Sequence, residues 1–295
     1  MNEKWIEVMV RVPEALAEIV EKQLTELGSV GSVEDTLGEK GDPVPAKPLI
    51  KGYFYGTDEA TSEQVTAFQS FVSSLGDIFP VSEIEEVQVR ETREDEWQEW
   101  KRFFKPVLVS DRIVIKPTWE KYEKAEGQLI VEIDPGMAFG TGSHESTRMC
   151  IQLLDEVIEG GERVFDVGTG SGILAIAAAR LGAGPVFGID NHEDSVRVAG
   201  ENVALNGVEG IVTVSTMPLD NIKEDYRIVV ANILAEDLID MCRSLVDRTI
   251  EGGEIILSGI LTTKAPMVIG AYEGEGVTLE KHLEEGDWSA LMFKK

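Results

Sequence analysis

The chain has 295 residues, 43% hydrophobic and 27% charged, which suits a globular protein of two packed domains rather than a disordered or fibrous chain. A formal net charge of −27 argues against a nucleic-acid-binding surface, because phosphate would be repelled; a basic partner is the natural complement, and solubility or a salty habitat is the other source of such acidity. The start, Met1-Asn2-Glu3-Lys4-Trp5, has neither a basic region nor an apolar stretch, and no apolar run approaches the ~18 residues of a membrane span, so a cytoplasmic protein with no membrane partner is expected.

Residues 5–11 alternate as a half-buried strand does, 13–27 follow Pro13 with helical periodicity, and Val30 to Leu37 read as a strand before a loop rich in Gly and Pro. A second round follows, with Pro48 to Tyr55 as a strand, Thr61 to Leu75 as an amphipathic helix and Val81 to Val89 as an alternating strand. The order βαββαβ predicts a ferredoxin-like α+β domain over residues 1–92. It holds no glycine-rich cradle or catalytic cluster, so it is expected to bind or present something. Its 7 Lys/Arg against 18 Asp/Glu make it the denser part in negative charge, the rest of the chain holding 20 against 36. Residues 93–105 read as a short linking helix whose Trp97, Trp100, Phe103 and Phe104 form a stripe that packs on a neighbouring domain.

From residue 106 to 295 strands alternate with helices: 164–167, helix 172–181, 186–190, helix 193–205, 211–215, 226–231, helix 235–249 and 254–259, with Gly182 and Gly207 at helix ends. This predicts an α/β, doubly wound, mostly parallel sheet. Cys150 and Cys242 stand far apart in apolar helical patterns and read as reduced core thiols, and the three histidines do not cluster, so no metal site is indicated.

The run Asp166-Val167-Gly168-Thr169-Gly170-Ser171-Gly172 lies between the Val164-Phe165 strand and the Ala-rich helix from Ile173 to Leu181. Its glycines let the backbone turn tightly and approach a ligand where a Cβ would clash. A dinucleotide fingerprint needs Gly-x-Gly-x-x-Gly, and Ile173 stands where the third glycine belongs; no Gly-Lys-Ser/Thr follows, which excludes a P-loop. The Gly-x-Gly-x-Gly spacing with an acid two residues ahead is similar to the first motif of doubly wound S-adenosylmethionine-dependent methyltransferases; a ligand-free turn is the alternative. Asp190, after the next strand, is placed to hold ribose hydroxyls. Gly168, Asp190 and Asn232 fall at three strand ends, where ligands of such sheets sit.

Asp134-Pro135-Gly136-Met137-Ala138-Phe139-Gly140-Thr141-Gly142-Ser143-His144-Glu145-Ser146-Thr147, the 166–172 loop, Val230-Ala231-Asn232-Ile233-Leu234-Ala235 and Leu257-Ser258-Gly259-Ile260-Leu261 together resemble the ribosomal protein eleven methyltransferases, the PrmA family, over the whole chain. The resemblance implies that Thr147, Gly168, Asp190 and Asn232 contact S-adenosylmethionine, with Gly170 in the same loop and the Phe139 to His144 segment beside or over the cofactor. It also implies N-methylation of lysine side chains and of the N-terminal amine of one basic large-subunit ribosomal protein, with the N-terminal domain recognising that substrate. The family's His-Pro-Thr-Thr is here His144-Glu145-Ser146-Thr147, and Asp287-Trp288-Ser289-Ala290 stands where relatives tend to carry Trp-Cys; Trp288 is expected in the core.

Methyl transfer from a sulfonium is an in-line displacement, so the protein must hold a nucleophilic nitrogen close to the methyl carbon with its lone pair aligned. A lysine of ordinary pKa ~10.4 is nearly all protonated at neutral pH, so the pocket must favour the neutral amine by desolvation and by acceptors without full charge. Asn232 suits that role, its side-chain carbonyl accepting an amine hydrogen bond as the Asn of an Asn-Pro-Pro-Tyr loop does. Here Ile233-Leu234-Ala235 replace Pro-Pro-Tyr, which removes the ring that would stack a nucleobase and favours an aliphatic amine. Asn232 also stands where it could cap the following helix. His144 reads as a capping residue before a general base, and Asp166 as an organiser of the loop amides. A monomeric enzyme is expected; the alternatives are a methyltransferase retargeted to another protein or small amine, and a silent binding protein of the same fold.

Overall fold

The structure is a computed structural model that describes residues 3–29, 31–35, 47–76, 84–92, 105–133 and 144–295. The chain divides into two compact units, Met1–Phe104 and Lys105–Lys295.

In the first unit, β1 (Glu3–Arg11), β2 (Gly31–Asp35), β3 (Leu49–Thr57) and β4 (Gln88–Thr92) form an antiparallel sheet of order β2-β3-β1-β4, with α1 (Glu14–Glu26) and α2 (Asp58–Leu75) between the strands. This is the expected βαββαβ order. The alternation in β1 sends Ile6, Val8 and Val10 to one face, where they pack in one core with Leu16, Val20 and Leu24 of α1 and Phe68, Val72 and Leu75 of α2. The helix α2 starts three residues before the expected Thr61, because the Thr57 hydroxyl accepts from the Ala60 amide and caps it there. The last strand is shifted from the expected 81–89. Ile84 and Val87 pack against the core from irregular chain, and only Gln88 onward pairs with β1, in the register Val8 to Val89. Apolar spacing there reports packing rather than a ladder. The aromatic linker of 93–105 lies outside the described residues except for Lys105.

In the second unit a small sheet of β5 (Val107–Leu108), β6 (Ile113–Lys116) and β7 (Leu129–Glu132) precedes the large one. Then follow α3 (Glu145–Val157), β8 (Val164–Val167), α4 (Ile173–Leu181), β9 (Val186–Ile189), α5 (Glu193–Leu205), β10 (Val212–Ser215), β11 (Tyr226–Asn232), α6 (Ala235–Asp240), α7 (Cys242–Asp247), β12 (Thr249–Leu261), α8 (Ala265–Gly274), β13 (Thr278–Glu285) and β14 (Trp288–Lys294). The large sheet has the order β10-β9-β8-β11-β12-β14-β13; the first five strands are parallel, and β14 is antiparallel to both neighbours.

Both faces of the sheet are covered, as a parallel sheet requires. Val164, Ile228, Val230 and Ile256 pack against Cys150 and Leu154 of α3 and Ile176 of α4. Phe165, Val229, Ala231 and Leu257 pack on the opposite side with Leu238, Leu245, Val268 and Tyr272. The winding direction reverses between β8 and β11, which makes their carboxyl ends the switch point of the sheet. Both cysteines are buried and free, and burial pushes the Cys242 thiol up to about 11.

Two expectations are corrected here. The single helix of 235–249 is two helices meeting at Met241, where the Leu238 carbonyl accepts the Tyr272 hydroxyl at 3.0 Å, and Thr249 already belongs to β12. Trp288 is half-buried at the edge of the core, against the His144 ring. The antiparallel pair β13 and β14 and the small three-stranded sheet did not stand out in the sequence. Among the described residues, no helix is long and apolar enough to cross a membrane.

Candidate cofactor and amine site

The chain leaves β8 through a loop held by its neighbours. The amides of Gly168 and Thr169 both donate to the Ile189 carbonyl at 2.9 Å, at the end of β9. Gly168 has φ +74°, and a Cβ there would sit 2.5 Å from Ile233 Cγ2. Gly259, at φ +78°, meets the other side of the same segment, where a Cβ would lie 2.5 Å from the Ile233 carbonyl oxygen. Two glycines thus admit the chain that leaves β11.

Beneath the loop, Asp166 is fully buried. Its Oδ2 accepts from the Thr169 hydroxyl at 2.6 Å and from the Ala175 amide at 3.2 Å, so it ties the loop to the first turn of α4 through a hydroxyl and a helix amide rather than through the glycine amides. Oδ1 is buried and accepts no hydrogen bond from a described residue. Burial pushes this carboxyl up to about 7 against the pull of Thr169 and Ala175, and the Asp190 charge adds to the rise. Asp190 is half-buried at the end of β9; Oδ2 accepts from the Gly170 amide and Oδ1 from the His192 amide, both at 3.0 Å. One lone pair on each oxygen remains for a ligand.

Asn232 ends β11. Continuing the register of Val230 with Asp166 and Ala231 with Val167 puts it level with Gly168 across the switch point, beside Ser258 on β12. Its Nδ2 donates to Thr147 Oγ1 at 3.2 Å, and Thr147 lies fully buried on α3. Its Oδ1 is buried and accepts nothing from a described residue. The following helix, α6, begins after Leu234 without a side-chain cap, so the capping alternative for Asn232 is not realised. Thr147, Gly168, Gly170, Asp190 and Asn232 therefore gather around the carboxyl ends of β8, β9 and β11.

His144 is the N-cap of α3, its Nδ1 accepting from the Ser146 amide at 3.3 Å, as a capping reading requires. Burial holds its pKa below the usual value, Arg148 assisting and Glu145 and Glu285 opposing. The Trp288 ring meets it edge-on at 4.8 Å, and Arg148 links α3 to β13 through Glu285 at 2.6 Å. The buried Ser289, which the sequence reading set where the family pattern has a cysteine, donates to Thr262 Oγ1 at 3.2 Å and lies 3.0 Å from His282 Nε2.

Sequence reasoning missed Asn202 and Asn206. Asn202 Nδ2 donates to the Ser171 carbonyl at 2.8 Å, behind the glycine loop. Asn206 Oδ1 accepts from the Glu132 amide at 2.9 Å, while Nδ2 donates to the carbonyls of Glu132 and Asn202 at 2.7 and 2.8 Å. Together they join the loop to the end of β7. Two asparagines four residues apart at the end of a helix, where Asn is a poor helix former, were the available signal. The segment from Asp134 to Ser143, read as lying beside the cofactor, is outside the described residues. Among the described residues no group of three or more His, Cys, Asp or Glu could hold a metal ion.

These features fit a nucleoside-bearing ligand: an acid at the next strand end with lone pairs to spare, and a buried Asn232 carbonyl that accepts from no described residue. A family model described as ribosomal protein L11 methyltransferase (PrmA) matches residues 4–295. A ribosomal protein L11 methyltransferase of Geotalea uraniireducens is 41% identical over 313 residues, covering 100% of this chain and 99% of the relative; that of Geobacter sulfurreducens is 40% identical over 304 residues with the same coverage. A crystal structure of a ribosomal protein L11 methylase from Lactobacillus delbrueckii subsp. bulgaricus aligns with a TM-score of 0.61 at 34% identity, covering 64% of this chain and 98% of that one. The chain belongs to the ribosomal protein L11 methyltransferase family, whose cofactor is S-adenosylmethionine.

Proposed function

We propose that this protein methylates ribosomal protein L11, a basic, lysine-rich protein of the large subunit, on lysine side chains and on the N-terminal amine. It does so as a cytoplasmic monomer, with residues 1–92 recognising the substrate, 93–105 as linker and 106–295 as the catalytic domain. The observation that carries this reading is Asn232, level with Gly168 on the two strands of the switch point, with its amide nitrogen engaged and its carbonyl oxygen accepting from no described residue.

Bound S-adenosylmethionine supplies an electrophilic methyl carbon. Gly168 and Gly170 would let the backbone approach the cofactor, Asp190 would accept from its ribose hydroxyls with the lone pairs left by the Gly170 and His192 amides, and Thr147 and Asn232 would close the site from α3 and β11. Asn232 Oδ1 accepts one N–H of the amine and leaves the nitrogen lone pair free. A carboxylate in its place would hold the amine protonated; a carboxamide orients it without that charge. A protein of net charge −27 concentrates a basic substrate and repels copies of itself.

The test is incubation of the purified protein with methyl-labelled S-adenosylmethionine and a set of free ribosomal proteins, read by intact mass. Gain of one or more methyl masses on L11 alone is the expected result. Cofactor binding without mass gain on any ribosomal protein would turn the reading toward another protein or a small amine, and absence of cofactor binding would leave a silent protein of methyltransferase fold.

A further inference from the structure

The glycine loop is held from two sides. The end of β9 takes the amides of Gly168 and Thr169 on the Ile189 carbonyl and that of Gly170 on Asp190. From the other side comes α5, where Ala199, Asn202 and Asn206 stand at i, i+3 and i+7 and share one face. Ala199 is fully buried against Gly172, on which a Cβ would lie 3.2 Å from Ala199 Cβ. One turn on, the buried Asn202 donates from Nδ2 to the carbonyl of the buried Ser171 at 2.8 Å. We infer that Asn202 is a positioning residue for the cofactor: by holding the Ser171 carbonyl toward α5 it fixes the shape of the loop on which the cofactor lies. This rests on the reading of that loop as the cofactor's cradle.

A loop of this composition needs such a hold. Gly170 at φ +53° and Gly172 at φ +81° flank Ser171, and a glycine on each side lets the intervening peptides turn over against little steric resistance. The ladder of α4 begins after Ser171, with the Ile176 amide on the Gly172 carbonyl at 2.9 Å. The Ala175 amide, four residues beyond Ser171, is given to Asp166 Oδ2. The Ser171 carbonyl is therefore passed over by the helix that follows it, and Asn202 meets it from α5. Turning the peptide away would part a buried carbonyl from its donor and a buried N–H from its acceptor, and both losses resist the turn. The cofactor then meets a loop already in its bound shape, and the ordering that binding does not have to perform returns as affinity.

Asn206, one turn further along the same face, grips a different segment. Both ends of its carboxamide bond the backbone of Glu132 at the end of β7. Asn202 reaches the loop and Asn206 reaches β7, so a change at Asn206 reports what loosening this end of α5 does by itself.

The experiment compares Asn202→Ala, Asn202→Asp, Asn206→Ala and Asp190→Ala with the parent. Each is measured for the affinity of S-adenosylhomocysteine by titration calorimetry, for kcat and KM of methyl transfer to L11 with either substrate varied, and for its urea midpoint. Asn202→Ala is expected to weaken S-adenosylhomocysteine binding and to raise the KM for S-adenosylmethionine about tenfold, the worth of one hydrogen bond. Its kcat at saturating cofactor and its KM for L11 are expected to stay within about twofold of the parent. Asn202→Asp keeps the shape but sets a carboxylate against the Ser171 carbonyl, and binding is expected to weaken at least as far. Asn206→Ala is expected to lower the urea midpoint and to leave the affinity within about twofold.

The inference is overturned if both Asn202 variants bind S-adenosylhomocysteine within about twofold of the parent, if kcat falls in place of a rise in KM, or if Asn206→Ala loses as much affinity as Asn202→Ala. Failure of both Asn202 variants to fold would overturn it too, and make Asn202 a residue of the core alone. If Asp190→Ala loses affinity while the Asn202 variants keep it, the cofactor site stands and the role of Asn202 falls; if all three keep it, the reading of the strand ends falls as well. A parent that binds S-adenosylhomocysteine but transfers no methyl to L11 loses its proposed substrate, and the calorimetric comparison alone then decides the inference.

Discussion

Asp166→Asn is the substitution whose consequence follows most directly from burial. The Asp166 carboxyl is 0% exposed, and burial raises its pKa from 3.8 to about 7. A carboxyl with a folded-state pKa above its unfolded value holds its proton more tightly in the native state. Its contribution to stability is therefore complete below 3.8 and is lost as pH rises through about 7. At ~1.36 kcal/mol per pH unit, a rise of that size is worth about 4 kcal/mol, an upper figure for a carboxylate whose Oδ2 still keeps its Thr169 and Ala175 hydrogen bonds. The substituted carboxamide is nearly isosteric and does not titrate. Its NH2 group, in the place of Oδ1, would be unpaired at every pH, so that cost cancels when slopes are compared. The self-repulsion of an acidic chain also grows with pH but is common to both proteins. The assay is urea unfolding of parent and variant at intervals from pH 4 to pH 8, with free energies from midpoints and m-values. The parent is expected to lose about 2–4 kcal/mol relative to the variant across that window. Parallel stability profiles would refute the reasoning and show that Asp166 is ionised throughout.

Gly168→Ala places a Cβ 2.5 Å from Ile233 Cγ2 at φ +74° and is expected to cost about 2 kcal/mol, a fall in thermal midpoint of roughly 4–8 °C, seen by calorimetry; an unchanged midpoint would mean that the loop yields freely. Asp190→Ala leaves the Gly170 and His192 amides without their acceptor, and S-adenosylhomocysteine affinity is expected to fall at least about tenfold by titration calorimetry. An affinity kept within about twofold would remove Asp190 from the site. Asn206→Ala deprives both backbone groups of Glu132 of a partner and is expected to destabilise by about 2–4 kcal/mol in urea. A midpoint unmoved by that substitution would show that β7 is held by its ladder to β6 alone.

Most of the elements were legible because their periodicity is local. The strand 164–167 and the helix 193–205 have the same limits in the structure as in the pattern, since each buries one regular face between clear turn residues. The βαββαβ order of the first unit was legible for the same reason. Where an element's limits depend on a partner, the pattern misled. The helix expected over 235–249 is divided where the Tyr272 hydroxyl takes the Leu238 carbonyl from 34 residues away, and the strand expected over 81–89 begins only where β1 offers a ladder. The terminal strands β13 and β14 join the sheet as an antiparallel pair beyond β12, and nothing within their own residues states which strand they will meet.

The sequence by itself determined the glycine loop, the acid at the next strand end, the parallel sheet that brings Gly168, Asp190 and Asn232 to one edge, and the family. Glycine positions, strand spacing and motifs are written in consecutive residues, so they survive without coordinates. Only the tertiary structure decided how those residues are wired: Asn232 to Thr147 across 85 positions, Asn206 to Glu132 across 74, Asp190 turned onto the Gly170 amide, and Asp166 closed off from water. A hydrogen bond forms or fails over a few tenths of an ångström and a few tens of degrees, and a pKa follows the water that packing removes. Both are set by how separate elements pack, which no single stretch of chain encodes.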